Sequence, residues 1–330
     1  MATPQTETAV PVDFAPVFIV GVPRSGTTLL RAMLNRHPRI GLSDETYFFY
    51  YVYQRRRVFG DLADAANRRR LIASYGATQR MHRLKIDLPR LNERLLAEGT
   101  SYPAFFATIL QFYAEAHGKV RPGEKTPHHA WNVETLLEWY PGGRVIHLVR
   151  DPRDVCASLF SVPWGRKTAT ANAELWVNLT ESADLGQGNP RFCRVRYEDV
   201  VAEPEQVMRN LCDFIGESYD PAMLSTSPVS TADQPWFLRS HDALSKDRLG
   251  AWRGRLSAND VSLIESTAGP LMQKLGYQLT QSPASAGLRF KGRLQSRLED
   301  LKERVLRAPR LWYFWMQPRN LAAEEKWIDR

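Results

Sequence analysis

The sequence predicts an α/β fold: a P-loop-type doubly wound parallel sheet flanked by helices, with a helical insertion and a helical C-terminal arm. Three observations predict it. Short continuous apolar runs, VFIVGV at 17–22, RVIHLV at 144–149 and FCRVRY at 192–197, suit strands buried on both faces of a parallel sheet. Each run is followed by a stretch with helical periodicity. The first run also passes into a glycine-bounded loop, Gly21 to Gly26, that opens a helix, the arrangement that binds anions.

Residues 1–16 read as a flexible tail, 17–280 as the main domain and 281–330 as a basic amphipathic arm. The helix after the loop carries Leu29, Leu30, Met33 and Leu34 on one face, and Pro38 closes it. Residues 47–120 are helical in pattern with no strong strand, so they read as an insertion. Thr126-Pro127 supplies an N-cap and a first-turn proline for a helix ending at Pro141-Gly142-Gly143. Asp151-Pro152 does the same after the second strand. Pro204 opens a helix with Val207, Leu211, Phe214 and Ile215 on one face, stopped by Gly216. Ser257 and Asp260 form a capping box for a further helix, which the sequence interrupts at Gly269-Pro270.

The composition is that of an ordinary globular chain, 43% hydrophobic and 24% charged over 330 residues. A net charge of +8 points to an anionic partner without choosing one. No nucleic-acid motif is present, and the surplus is concentrated at one end: residues 286–330 hold eleven Lys or Arg against six Asp or Glu. There Leu294, Leu298, Leu301 and Val305 share one helical face, followed by Pro309 and LWYFWM. The arm fits membrane-surface contact, packing on its own domain, or self-association. Cys156, Cys193 and Cys212 are odd in number and lack metal or redox spacing, which suits buried thiols in a reducing compartment. The first residues lack the basic and apolar regions of a signal peptide, and no apolar run approaches the roughly 20 residues of a span. The expectation is a cytoplasmic protein, peripheral to a membrane if the arm binds one.

Gly21 and Gly26 have the spacing of a nucleoside-triphosphate loop, but Thr27 stands where that loop has its lysine. The nearest cation, Arg24, lies inside the loop, with Ser25, Thr27 and Thr28 adding hydroxyl donors. The second strand ends in Arg150, where a triphosphate enzyme carries a magnesium-binding Asp, and Asp151 beside Pro152 suits a helix cap. Ser158 lies two turns on. Two anion sites, neither with a metal ligand, imply a nucleotide with separated anionic groups and a transfer that needs no metal. A P-loop kinase using ATP and magnesium is the rival enzyme, and a non-catalytic anion-binding module the rival without chemistry.

These segments resemble the sulfotransferases, which use 3′-phosphoadenosine 5′-phosphosulfate (PAPS) as donor. Pro23-Arg24-Ser25-Gly26-Thr27-Thr28 resembles their 5′-phosphosulfate loop, and Arg150 with Ser158 their 3′-phosphate segment. RYEDVVAEP at 196–204 resembles the segment whose tyrosine, here Tyr197, lies near the nucleotide. SKDRLGAW at 245–252 resembles the loop closing over the 3′-phosphate, which implies contacts from Ser245, Arg248 and Gly250. The run PRSGTTLLRAMLNRHP…DET is most similar to the tyrosylprotein sulfotransferases and their bacterial relatives. The resemblance implies Glu45 as general base and Lys125 beside the transferring sulfonate, with Arg24 where other branches have lysine. It departs at Val162, where that branch has arginine and Arg166 is the nearest substitute.

The implied reaction moves a sulfonate to a hydroxyl of tyrosine or phenol, sugar or lipid alcohol. Glu45 is the base, with Asp44 and the pair His128 and His129 as rivals. Arg24 and Lys125 clamp the charge. YFFYYVY at 47–53 either walls the acceptor pocket or packs the insertion. The arginine triplets 55–57 and 68–70 either hold an acidic acceptor or are solvated.

Overall fold

The computed structural model describes residues 10–225, 246–316 and 321. Its centre is a parallel sheet of five strands: β1 (Val17–Gly21), β2 (Ile40–Ser43), β3 (Arg121–Lys125), β4 (Arg144–Val149) and β5 (Phe192–Arg196). Their order in space is β2-β3-β1-β4-β5, and every pair is parallel. The chain leaves β1 toward one edge and returns to cross to the other, so the carboxyl ends beside β1 form the switch point where ligands collect in such sheets.

Helix α1 (Thr27–Asn35) buries Leu29, Leu30, Met33 and Leu34 against one face of the sheet. After β2 come α2 (Phe48–Tyr51), α3 (Arg56–Phe59), α4 (Ala65–Gly76), α5 (Gln79–Arg83), α6 (Leu88–Glu98) and α7 (Tyr102–Ala116). This helical stretch lies between β2 and β3 and forms the crossover that joins them. α7 packs on both strands, and its Phe105 and Phe106 share one core with Phe18 and Val20 of β1. Both β2 and β3 are additions to the strands expected from the sequence.

Residues 127–132 form a 3₁₀ turn leading into α8 (Val133–Trp139). Thr126 precedes it without a side-chain cap, because in the tighter turn the His129 N–H donates to the Thr126 carbonyl instead. α9 (Pro152–Leu159) and α10 (Ala169–Asp184) follow β4. Asp151 caps α9 as expected, accepting from the Arg153 N–H. Tyr197 ends the third expected strand by opening α11 (Tyr197–Ala202), and α12 (Pro204–Ile215) stops at left-handed Gly216. α13 (Ala258–Lys274) starts with the expected capping box. It runs through Pro270 where an interruption was expected: the proline leaves one carbonyl without its donor, and Ala268, Leu271 and Met272 offset that loss by packing in the core. α14 (Ala286–Met316) is one helix of 31 residues, longer than the expected 293–307 stretch.

Residues 10–16, the end of the expected tail, run along the base of the sheet. The Val10 N–H donates to the Trp139 carbonyl at 2.9 Å, and the Phe14 ring lies 5.6 Å from that of Tyr140. Leu321 is buried beside α4, its N–H donating to Ser74 Oγ. The three cysteines are free: Cys156 and Cys212 are buried and Cys193 half-buried. No helix among the described residues is long and apolar enough to cross a membrane.

Candidate active site

Each strand delivers one side chain at its carboxyl end: Arg24 after β1, Glu45 after β2, Lys125 on β3, Arg150 after β4 and Tyr197 after β5. A cleft of about 880 Å³ opens there. Pro23, Arg24, Gly26, Thr27 and Thr28 line it at one end, with Arg150, Ser158, Tyr197 and Arg248 beside them. Glu45 lines it between this end and an aromatic wall.

The loop half is built for an anion. Arg24 and Gly26 both adopt positive φ, 75° and 98°, which turns the chain tightly into α1. No side chain caps α1, so its first-turn N–H groups remain available to a ligand. Only glycine fits at 26, because a Cβ there would lie 2.4 Å from the Tyr197 ring. Arg150 lies over that ring, 4.3 Å from its centroid. Arg24 Nε donates to Ser158 Oγ at 3.0 Å, which joins the two segments that the sequence assigned to separate anion sites. Burial, then repulsion from Arg150 and Arg248, pulls the Arg24 guanidinium below its ordinary pKa, and Glu45 partly offsets this. Ser25 Oγ and Arg150 Nε are buried without a hydrogen-bond partner among the described residues. Clustered cations, open N–H groups and orphaned donors are complementary to a polyanion with spaced charges, such as a nucleotide phosphosulfate.

The segment after 246 straps this end. Arg150 donates to the Arg248 carbonyl at 2.7 Å. Asp154 of α9 accepts from the N–H groups of Gly250 and Trp252, both at 2.9 Å. The Gly250 amide is therefore committed to Asp154, and Gly250 fixes the strap without lining the cleft. Ser245 lies outside the described residues. Arg166, the substitute for an arginine at Val162, is paired with Asp300 of α14, while Val162 itself lines the cleft.

Across the cleft, Glu45 meets Lys125 at 2.5 Å and Arg80 at 3.7 Å. Lys125 is wholly buried and also holds Asp44 at 3.0 Å. It does not line the cleft as expected for a sulfonate contact: it stands behind the carboxylates because β3 ends at Lys125, one strand inward from β2. Burial is the largest influence on the Glu45 carboxyl and raises it, as does the Asp44 charge, but the Lys125 ammonium, through its charge and hydrogen bond, and Arg80 together leave the group below its ordinary range. Asp44 faces Arg31 and Lys125 and does not line the cleft. His128 does line it, with its pKa pushed down to about 4, chiefly by burial. His129 is buried against Glu124, which also accepts from Thr46 Oγ1 at 2.5 Å.

YFFYYVY serves both purposes the sequence offered. Phe48 is core, stacked on Phe106 at 4.4 Å; Phe49 and Tyr51 are buried in the same core but, with Tyr47 and Tyr50, border the cleft. Arg80, absent from any motif, lies 4.5 Å over the Tyr47 ring. Members of the arginine triplets bind backbone carbonyls: Arg55 reaches Tyr50 and Tyr51, Arg56 reaches Tyr53, and Arg68 reaches Leu62, Ala63 and Leu96. Among the described residues no group of three or more His, Cys, Asp or Glu is placed to hold a metal ion.

A family model described as "Sulfotransferase family" matches residues 16–221, more than half of the chain. The chain belongs to the sulfotransferase family. This sulfotransferase is 26% identical over 292 residues to protein-tyrosine sulfotransferase A of Caenorhabditis elegans, covering 82% of this chain and 69% of that one. Protein-tyrosine sulfotransferase 2 of Gallus gallus is 28% identical over 295 residues, covering 82% and 71%. Nodulation protein NoeE of Sinorhizobium fredii is 26% identical over 333 residues, covering 90% and 73%. The sulfotransferase domain of the Synechococcus PCC 7002 olefin synthase shares the fold, with a TM-score of 0.57 at 23% identity over 84% of this chain and 98% of that one. The kinase and non-catalytic alternatives give way to an enzyme that transfers sulfonate.

Proposed function

We propose that this sulfotransferase moves the sulfonate of PAPS to a phenolic hydroxyl, that of tyrosine or a tyrosine-like phenol. The observation that carries the reading is the position of Glu45, between the anion-binding loop and a wall of Tyr47, Phe49, Tyr50 and Tyr51. An aromatic ring stacked in that wall presents its hydroxyl to the carboxylate. Two of the relatives reported above are protein-tyrosine sulfotransferases, which supports the same acceptor.

In this reading Glu45 accepts the acceptor's proton while the sulfonate sulfur forms its bond to the acceptor oxygen and loses its bond to the phosphate oxygen. Arg24, held by Ser158, and the N–H groups at the start of α1 stabilise the charge left on the phosphate. Arg150 and Arg248 hold the second anionic group of the nucleotide. Tyr197 backs Arg150 through its ring. Lys125 acts through Glu45, keeping it ionised and aimed at the cleft. The reaction moves charge between groups that are already present, and these residues balance it with no call on a metal.

A labelled-sulfonate transfer screen tests the acceptor, with tyrosine peptides and simple phenols against sugars and lipid alcohols. The reading expects label on the phenols. Label on sugar or lipid alone overturns it. Stabilisation by 3′-phosphoadenosine 5′-phosphate without metal, and none by ATP with magnesium, tests the donor separately.

A further inference from the structure

Helix α14 turns its polar side toward the protein. Gly292 and Ser296 are buried where the helix meets α10 and α13. A Cβ on Gly292 would lie 2.6 Å from Thr170 Oγ1, and Ser296 Oγ donates to Glu174 at 2.9 Å. Glu299 accepts from the Lys167 N–H at 2.7 Å and from Thr168 Oγ1 at 3.1 Å, and Asp300 pairs with Arg166. On the opposite side Phe290, Leu294, Leu298, Leu301 and Val305 are 70%, 47%, 55%, 57% and 61% exposed. At roughly 100° per residue these five fall within a stripe of about 80°. Exposed Lys291 and Lys302 flank one side of it, and exposed Arg293 and Arg297 the other. An amphipathic helix normally turns such a stripe to the core.

We propose that this face of α14 docks the enzyme on the surface of an anionic lipid bilayer. The stripe enters the boundary between headgroups and acyl chains, and the flanking cations meet lipid phosphates. The distribution of charge selects a bilayer over a second copy of the chain. The cations lie along both margins of the stripe, so two copies paired stripe to stripe set cation beside cation in either direction. The two carboxylates between 286 and 302, Glu299 and Asp300, are turned inward to Arg166, Lys167 and Thr168, where they do not repel anionic lipid. Residues 166 and 167 continue directly from Val162, Pro163 and Trp164, which line the cleft. Docking through α14 therefore holds one rim of the cleft close to the bilayer.

Co-sedimentation of the full chain tests this, with phosphatidylcholine vesicles alone and with about 30% phosphatidylserine added. The wild type is expected to bind the anionic vesicles at least about tenfold better than the neutral ones, and to release as salt is raised. Leu294→Glu with Leu298→Glu, and separately Arg297→Glu with Lys302→Glu, each lower that binding at least about tenfold. Both variants keep wild-type circular dichroism and wild-type affinity for 3′-phosphoadenosine 5′-phosphate, since all four side chains are exposed and outside the cleft. Absence of vesicle binding, equal binding to neutral vesicles, or undiminished binding by the variants overturns the proposal. So does a wild-type dimer that the same substitutions dissociate in light scattering, which assigns the stripe to self-pairing.

Discussion

Lys125 Nζ lies 2.5 Å from Glu45 Oε1 and is wholly buried behind it, so the charge that keeps the cleft carboxylate ionised comes from inside the sheet. The same ammonium holds Asp44, which spends one lysine on two carboxylates. Removing it leaves burial and the Asp44 charge, both of which raise the Glu45 pKa, opposed by Arg80.

Lys125→Met therefore moves the acid limb of the kcat/KM profile. In the wild type the Glu45 pKa is lowered, so the base stays ionised as pH falls to its ordinary range of about 4.5 and the rate holds until then. In the variant the lowering is lost, so the rate falls at a higher pH than in the wild type. An unchanged limb would mean that Lys125 does not act through Glu45.

Gly26→Ala disrupts both the fold and the anion loop. The new Cβ meets the Tyr197 ring at 2.4 Å, and φ of 98° penalises any side chain. Left-handed strain of about 1–2 kcal/mol adds to an overpacking cost of about 1–3 kcal/mol. Urea unfolding is expected to show a loss of about 2–5 kcal/mol, together with weaker binding of 3′-phosphoadenosine 5′-phosphate, because the ring that backs Arg150 must move.

His128 makes stability depend on pH above the carboxylate range. Its folded pKa of about 4, against an ordinary 6.5, means that the unfolded chain takes up the proton first as pH falls. Stability is therefore full above pH 6.5 and declines below it, by about 2–3 kcal/mol at pH 4.5. Burial lowers the pKa of His147 in the same direction. His128→Asn flattens this decline in pH-dependent urea unfolding, leaving the share that belongs to His147.

The anion half of the site was legible because its chemistry is local. A continuous apolar run, a glycine-bounded turn and the start of a helix lie within fifteen residues, and Arg150 directly follows a second such run. β2 and β3 were not legible. IGLS is short, and RPGEK contains a proline, a glycine and three charges. It is a strand because it is paired on both sides and because Glu124 and Lys125 find buried partners. The depth of Lys125 follows from that pairing and could not be read from GEKTP. Arg80 lies in a five-residue helix and reaches Glu45 only through the packing of the crossover. The stripe on α14 was visible in the sequence, but which side faces the protein depends on Thr170, Glu174 and Arg166.

Single-turnover sulfonate transfer by Glu45→Gln tests the central claim most directly. The substitution keeps the shape of the side chain and removes its ability to take a proton. The account predicts a rate lower by about 10²–10⁴ with affinity for 3′-phosphoadenosine 5′-phosphate unchanged. Transfer at the wild-type rate would contradict it and place the base elsewhere in the cleft.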